Sequence, residues 1–179
     1  MTRHFFLLPA LLSLAVSGCD RPVANYQQQF LLSEQPSGGK TVIEIRDALL
    51  SGDDADQQTV TVVGEIGGMP NPYGDEQQPD FPWREEEATF FLVDPTTVAE
   101  FGDHGHAEGE ECSFCLAKAR SLVSTVAFVQ FRDEAGNLLP FRADELLGLA
   151  EGSTVTVTGQ ASKVADIMII EATGIHVGG

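Results

Sequence analysis

Five stretches of the chain are rich in Val, Ile, Thr and Phe, and several of them alternate apolar and polar residues with a period of two. This pattern predicts β-strands with a buried face. The predicted strands span residues 59–66, 88–93, 122–132, 154–159 and 166–177. The first and the fourth contain near-identical segments that end in Gly64 and Gly159, and glycine is suited to a point where a strand of a small barrel bends sharply.

Two other segments have the pattern of helices. Thr41 and Glu44 fit a capping box, in which each side chain bonds to the backbone N–H of the other residue. They predict a helix whose apolar face consists of Ile43, Ile45, Ala48 and Leu49. Residues 142–149 predict a short helix between the third and fourth strands.

The order of these elements predicts an all-β fold. Five strands with a short helix between the third and the fourth resemble the OB-fold, a five-stranded Greek-key barrel. The resemblance covers about residues 58–177. Another small barrel or a sandwich is the alternative. Because barrels of this kind bind many ligands or none, the fold does not determine the function.

The remaining segments set the domain boundaries. Residues 19–40 lack periodicity and are rich in Gln, Ser, Gly and Pro, which predicts a flexible tether. The domain then spans residues 41–179. A loop at 67–84 joins the first two strands, and an insertion at 95–120 separates the second from the third.

The first eighteen residues have the parts of a secretory signal: Arg3 near the start, an apolar run, and small residues before Cys19. They resemble the lipobox of bacterial lipoproteins. That resemblance implies cleavage before Cys19, lipidation of its sulfur, and a protein anchored at the periplasmic face of an envelope membrane. Inner and outer membrane both stay open. The alternative is an ordinary signal peptide that leaves Cys19 as a free thiol.

The charge of the chain restricts the classes of partner that it can bind. It has 10 basic and 27 acidic residues and a net charge of −17. Only Arg3 lies in the signal, so the mature chain carries 9 − 27 = −18. Such a surface repels phosphate backbones, which argues against nucleic acid. We expect a membrane partner through the lipid anchor, and an envelope protein or a small ligand as a second partner.

The strongest chemical signal lies in the insertion. His104, His106, Cys112 and Cys115 occur within twelve residues. Two thiolates and two imidazoles form a tetrahedral set that suits zinc, and copper is the alternative metal. Four protein ligands leave no open position for an activated water. The segment therefore favours a structural metal site rather than an enzyme.

Two other interpretations of this segment stay open. Cys112 and Cys115 could form a disulfide, either structural or redox-active. Residues 116–120 have the pattern of a helical turn, and a helix N-terminus lowers the pKa of a thiol. Alternatively, the segment is a surface loop with incidental histidines.

Trp83 and His176 are further candidates, but both have a simpler interpretation. Trp83 could contact a ligand, yet it is better explained as an aromatic cap on one barrel end. His176 lies on or after the last strand and is better explained as an exposed or hydrogen-bonded edge residue than as another metal ligand. The whole chain is also similar to bacterial lipoproteins that pair an OB-like barrel with a His-rich, Cys-x-x-Cys loop, a resemblance that implies no established activity. We therefore predict a non-enzymatic envelope lipoprotein with a binding or assembly domain, and a thiol-disulfide or copper-handling protein as the alternative.

Overall fold

The computed structural model of the chain describes residues 21–51, 57–102 and 112–178. The elements in chain order are α1 (Arg21–Phe30), β1 (Lys40–Thr41), α2 (Val42–Ser51), β2 (Gln58–Ile66), β3 (Thr89–Val93), α3 (Pro95–Gly102), α4 (Ser113–Ser121), a 3-10 helix (Val123–Thr125), β4 (Val126–Gln130), α5 (Ala143–Leu147), β5 (Thr154–Val164) and β6 (Ile167–Val177). The fold is mostly sheet with short helices around it.

Strands β2 to β6 form a closed barrel. β2 pairs with β3, β3 with β4, β6 with β5, and β5 with β2, all antiparallel. β4 and β6 complete the circle as a parallel pair. The predicted five-stranded barrel is thus confirmed. β1 is an additional strand that lies parallel to β2, and its two residues are too few to produce a sequence pattern.

The third predicted strand, residues 122–132, differs from the observed one. Residues 113–121 and 123–125 are helical with a turn at Leu122 between them, and β4 begins only at Val126. The apolar residues Leu122 and Val123 suggested an earlier start, but they belong to the helical passage that leads into the strand. Because both strands and helices contain consecutive apolar residues, residue type alone did not show where the helical segment ends and β4 begins.

Two glycines permit close backbone contacts within the barrel. A side chain at Gly159 would collide with the backbone oxygen of Glu171, and the strand pairing shifts register between Thr158 and Gly159. At Gly64, a Cβ atom would lie 2.6 Å from Leu92. At each glycine, atoms of the adjacent strand occupy the space that a side chain would need, as expected for a tightly curved barrel.

The capping box at α2 forms as predicted. The backbone N–H of Thr41 donates to Glu44 Oε2 over 2.8 Å, and the N–H of Glu44 lies 3.4 Å from Thr41 Oγ1. The buried face differs by one position, because Val42 is fully buried and Ile43 is not. Ile43 instead donates its N–H to Asp94 at the end of β3.

Asp94 joins α2 to the end of β3. Its carboxylate is fully buried and accepts hydrogen bonds from the Ile43 N–H (3.0 Å), the Thr96 N–H (3.0 Å) and the Thr96 hydroxyl (2.7 Å). Burial by itself would raise the pKa of Asp94, but the hydrogen bonds from Thr96, Ile43 and Thr41 hold it below its ordinary value. The charged form is thereby stabilised inside the fold.

The predicted flexible tether differs from the structure over much of its length. Residues 21–30 form α1, and Phe30 on this helix is buried with its ring centre 5.0 Å from that of Phe131. Tyr26 packs against Phe141, and the Leu32 N–H donates to the Ile175 carbonyl over 2.8 Å. The Gln-rich composition concealed an amphipathic helix that covers part of the barrel.

The barrel interior is the main apolar core. Trp83, 7% exposed, belongs to it and contacts Phe90, as expected for an aromatic cap. The interior also takes residues from β2, β4, β5 and β6 and from three helices, among them Val62, Val129, Val157, Ile170, Ile45, Leu146 and Phe30.

A second apolar cluster lies on the outer face of β3 and β4. We call it the outer cover. Its strand residues are Phe91, Val93, Val126 and Phe128, and they contact residues of the 67–83 loop and of the α3–α4 region, namely Met69, Tyr73, Phe81, Val98, Phe101, Ala119 and Leu122. Because β3 is buried on both faces, its sequence from Phe90 to Val93 is a continuous apolar run without alternation.

Candidate functional site

The two internal cysteines lie at the start of α4, and the outer cover fixes this helix on the barrel. Ala119 is fully buried in the cover, and Leu122 packs against it. The Lys118 ammonium lies 2.9 Å from a carboxylate oxygen of Glu100 and 5.1 Å from the ring centre of Phe101. These contacts join α4 to α3, so the first turn of α4 has a defined position.

Cys112 is the N-cap residue of α4. Its backbone is extended (φ −87°, ψ 98°), and its sulfur accepts a hydrogen bond from the Cys115 N–H over 3.2 Å. The Cys112 carbonyl accepts from the Leu116 N–H over 3.0 Å, which starts the helix. A cysteine thus occupies a position that usually carries Ser, Thr, Asp or Asn.

The two sulfurs differ in exposure. Cys112 is half-buried, Cys115 is 7% exposed, and the two are not joined by a disulfide. The pKa of Cys112 lies below its ordinary value because the Cys115 thiol and the N–H groups of Cys115 and Phe114 donate to its sulfur. The pKa of Cys115 is raised because its thiol donates that bond and is also desolvated.

This arrangement permits two kinds of chemistry. Two sulfurs on one helical turn can bind a single soft or borderline metal ion, since thiolates are strong zinc and copper(I) ligands. The same pair can form a disulfide, in which the more accessible thiolate is the nucleophile and the buried thiol completes the exchange. Both reactions start from the thiolate that the first turn of α4 stabilises at Cys112.

The other predicted site residues fall outside the described part of the chain. His104 and His106 precede Cys112 in the segment 103–111, and Cys19 precedes α1. Over residues 21–51, 57–102 and 112–178, no cluster of three or more His, Cys, Asp or Glu side chains could hold a metal ion. The structure therefore brings together Cys112 and Cys115, while the histidine part of the predicted set stays a prediction.

His176 lies on β6 opposite Thr156. Its Nδ1 atom is buried and has no hydrogen-bond partner.

Phe114 is an exposed residue of the Cys-x-x-Cys segment that residue type alone did not single out. It lies between the two cysteines, and its side chain is 72% exposed.

Comparison with protein-family models and with curated proteins finds no match to this chain. Among the helices that the structure describes, none is both long and apolar enough to cross a bilayer.

Proposed function

We propose that this protein is a lipid-anchored envelope lipoprotein whose barrel carries a metal site formed by Cys112 and Cys115 together with His104 and His106. The metal is zinc, its role is structural, and the domain serves binding or assembly rather than catalysis. The lipobox-like sequence before Cys19 supports the anchor.

One observation carries the metal proposal: both sulfurs lie on the first turn of α4, and the Cys115 N–H donates to Cys112 Sγ over 3.2 Å. A turn that already directs both thiols to one side needs little rearrangement to bind one ion. Two imidazoles from the preceding nine residues would complete a tetrahedral shell. The net charge of −17 also attracts cations to the surface.

The barrel supports an OB-like assignment, because its strand circle includes one parallel pair, β4 with β6, and a helix, α5, between β4 and β5. OB-folds bind extended ligands on the outer face of their second and third strands. The corresponding strands here are β3 and β4, and the outer cover occupies that face. This argues for a function in the α3–α4 insertion rather than on the barrel wall.

Metal analysis of the purified mature protein tests the proposal. We expect about one zinc per chain and two thiols that react with a thiol reagent only after chelation. Cys112→Ser and His106→Ala should each lose the metal and keep the far-ultraviolet circular dichroism of the barrel. His176→Ala is the matched control and should keep the metal. Protein that is isolated without metal and without reactive thiols would contradict the proposal.

The anchor is tested separately. Expression in a bacterial host should give a mature protein that starts at Cys19, carries acyl chains detectable by mass spectrometry and sediments with membranes. Cys19→Ala should abolish the acylation. An unmodified Cys19 on a soluble exported protein would favour an ordinary signal peptide instead.

The second candidate function is thiol-disulfide exchange or copper handling through the same pair. The difference between the two thiols favours it, since Cys112 is more accessible with a lowered pKa while Cys115 is buried with a raised pKa. Equilibration with defined glutathione mixtures tests exchange. A reversible two-electron transition between dithiol and disulfide in metal-free protein supports it. Thiols that stay reduced across the whole range of mixtures exclude it.

A further inference from the structure

Helix α1 attaches the N-terminal part of the described chain firmly to the barrel. Phe30 is buried with its ring centre 5.0 Å from that of Phe131, and Tyr26 packs against Phe141 with ring centres 6.2 Å apart. Val23, one helical turn before Tyr26, also packs against the barrel core. The chain is therefore fixed to the barrel from Val23 onward.

This attachment leaves little chain between the domain and a lipid on Cys19. Val23 follows Cys19 by four residues. Four residues reach at most about 14 Å, even when they are fully extended. A flexible tether over residues 19–40 would instead separate lipid and domain by about 25 Å on average. The packing of α1 therefore prevents the domain from moving far from an acylated Cys19.

α1 covers one end of the barrel. Phe131 directly follows β4, and Leu31, directly after α1, forms a bridge with Ile175 near the end of β6. Because β4 and β6 are parallel, their ends lie on the same side of the barrel. β6 begins at Ile167, next to the tip of the hairpin that it forms with β5, about 26 Å of strand away from Ile175. The hairpin tip thus marks the opposite end of the barrel.

We propose that the barrel is held directly against the bilayer by its α1 end, and that the β5–β6 hairpin points away from the membrane. This inference rests on the proposed lipid anchor at Cys19 and adds the distance and the orientation of the anchored domain. The partner of the α1 end is the bilayer that contains the acyl chains of Cys19. Because the short chain between Cys19 and Val23 imposes this placement, the protein surface needs no lipid affinity of its own.

The charges at the α1 end agree with a placement that the anchor imposes. Glu134 lines a cleft together with Tyr26 and Gln29 of α1, and Glu145 is exposed on α5, which contacts α1. Such carboxylates are repelled by anionic lipid headgroups. We therefore expect the acyl chains to supply the membrane affinity, and the Cys19→Ala protein to stay unbound when vesicles are added.

Two labelled forms of the lipidated mature protein measure the orientation. A small fluorophore is introduced through a non-natural amino acid either at Glu134, beside α1, or at Val164, which is 58% exposed at the hairpin tip. Each protein is added to the outside of phosphatidylcholine vesicles that carry a short-range quencher on the lipid headgroup. We expect the label at Glu134 to lose most of its emission and the label at Val164 to keep most of it.

A longer tether is the matched control. Insertion of about twenty Gly and Ser residues between Asp20 and Arg21 adds about 25 Å of flexible reach and leaves α1 unchanged. The quenching at Glu134 should then fall to the level at Val164, and the far-ultraviolet circular dichroism of the barrel should persist.

The outcomes separate the orientation from the anchor. Equal quenching of both labels in acylated protein of native length would overturn this inference while the anchor stands. An unchanged difference after the insertion would also overturn it, because the surface itself would then bind lipid. Wild-type protein that carries no acyl chains would overturn both the anchor and this inference.

Discussion

The barrel interior and the outer cover are both apolar, but they are built in different ways. Interior residues such as Val62 and Ile170 come from alternating positions of regular strands and are fully buried. The cover uses loop and short-helix residues, and Tyr73, Phe81 and Phe101 in it are only partly buried. The cysteine pair lies at the start of α4, the helix whose Ala119 packs into the cover, so the candidate chemistry is attached to the less deeply buried of the two regions.

Because of this difference, we expect the barrel interior to supply most of the stability, while the candidate chemistry lies on the more weakly packed region around α4. Segments with fewer buried contacts open at lower free-energy cost than a closed strand network. The cysteines of α4 could therefore bind and release a metal, or form and break a disulfide, while the barrel stays folded.

Phe90→Ala should cause the largest loss of stability. Phe90 is fully buried in the interior and packs against Trp83 and Phe131. Removal of a buried aromatic ring costs about 3–5 kcal/mol in the free energy of unfolding. Urea denaturation should show one cooperative transition at a much lower midpoint. A loss below about 1 kcal/mol would mean that the interior is not the main source of stability.

Ala119→Asp should affect the cover and spare the barrel. Ala119 is fully buried where α4 meets the cover, and an unpaired neutral polar group there costs about 1–3 kcal/mol, which a carboxylate exceeds unless it takes up a proton. We expect Cys115 to react faster with a thiol reagent while the far-ultraviolet circular dichroism of the sheet persists. Ala117→Asp, on the exposed side of the same helix, is the control. Simultaneous loss of sheet signal would show that cover and barrel unfold together.

The difference between the interior and the cover also explains which elements of the fold could be predicted from the sequence. Regular alternation identified β2, β5 and β6, and the Thr41–Glu44 pair identified α2, because these signals are local. The cover could not be predicted, since it depends on which loop residues meet the outer face of β3. Helix α1 did have a signal, in the spacing of Val23, Tyr26 and Phe30, but three consecutive glutamines obscured it.

The candidate site was predicted in part for a similar reason. Cys112 and Cys115 are close in sequence, so their proximity followed from the motif. Their unequal burial follows from how the cover holds α4, which no local pattern contains. The exposure of Phe114 depends on that same placement.

Asp94→Asn tests the junction between the two regions, since Asp94 links α2 of the interior to α3 of the cover. We expect a loss of about 1–2 kcal/mol at neutral pH, because hydrogen bonds to a buried charge are weakened. The pKa of Asp94 is lowered in the folded protein. Its charge therefore stabilises the fold above the unfolded pKa of about 3.9, and this contribution is lost as the pH falls through the folded pKa.

The difference in stability between wild type and Asp94→Asn should thus be constant above about pH 5 and shrink below about pH 4. Urea denaturation of both proteins across this range measures it. A difference that grows as the pH falls would have the wrong sign for a lowered pKa.

Lys118→Met should have the smallest effect. Its ion pair with Glu100 is partly exposed, and such pairs contribute about 0–1 kcal/mol. Because the methionine side chain can still cover Phe101, we expect a change in unfolding free energy below about 1 kcal/mol and an unchanged reaction rate of Cys112. Thiol kinetics and urea denaturation measure both quantities. A large change in either would mean that this ion pair, rather than apolar packing, fixes α4.

X-ray absorption at the zinc edge of the purified mature protein identifies the atoms that surround the bound ion. We predict two sulfur ligands at about 2.3 Å and two nitrogen ligands at about 2.0 Å, with the sulfur shell lost in a Cys112→Ser, Cys115→Ser double variant. A first shell of oxygen and nitrogen alone, unchanged in that variant, would contradict the proposed zinc site.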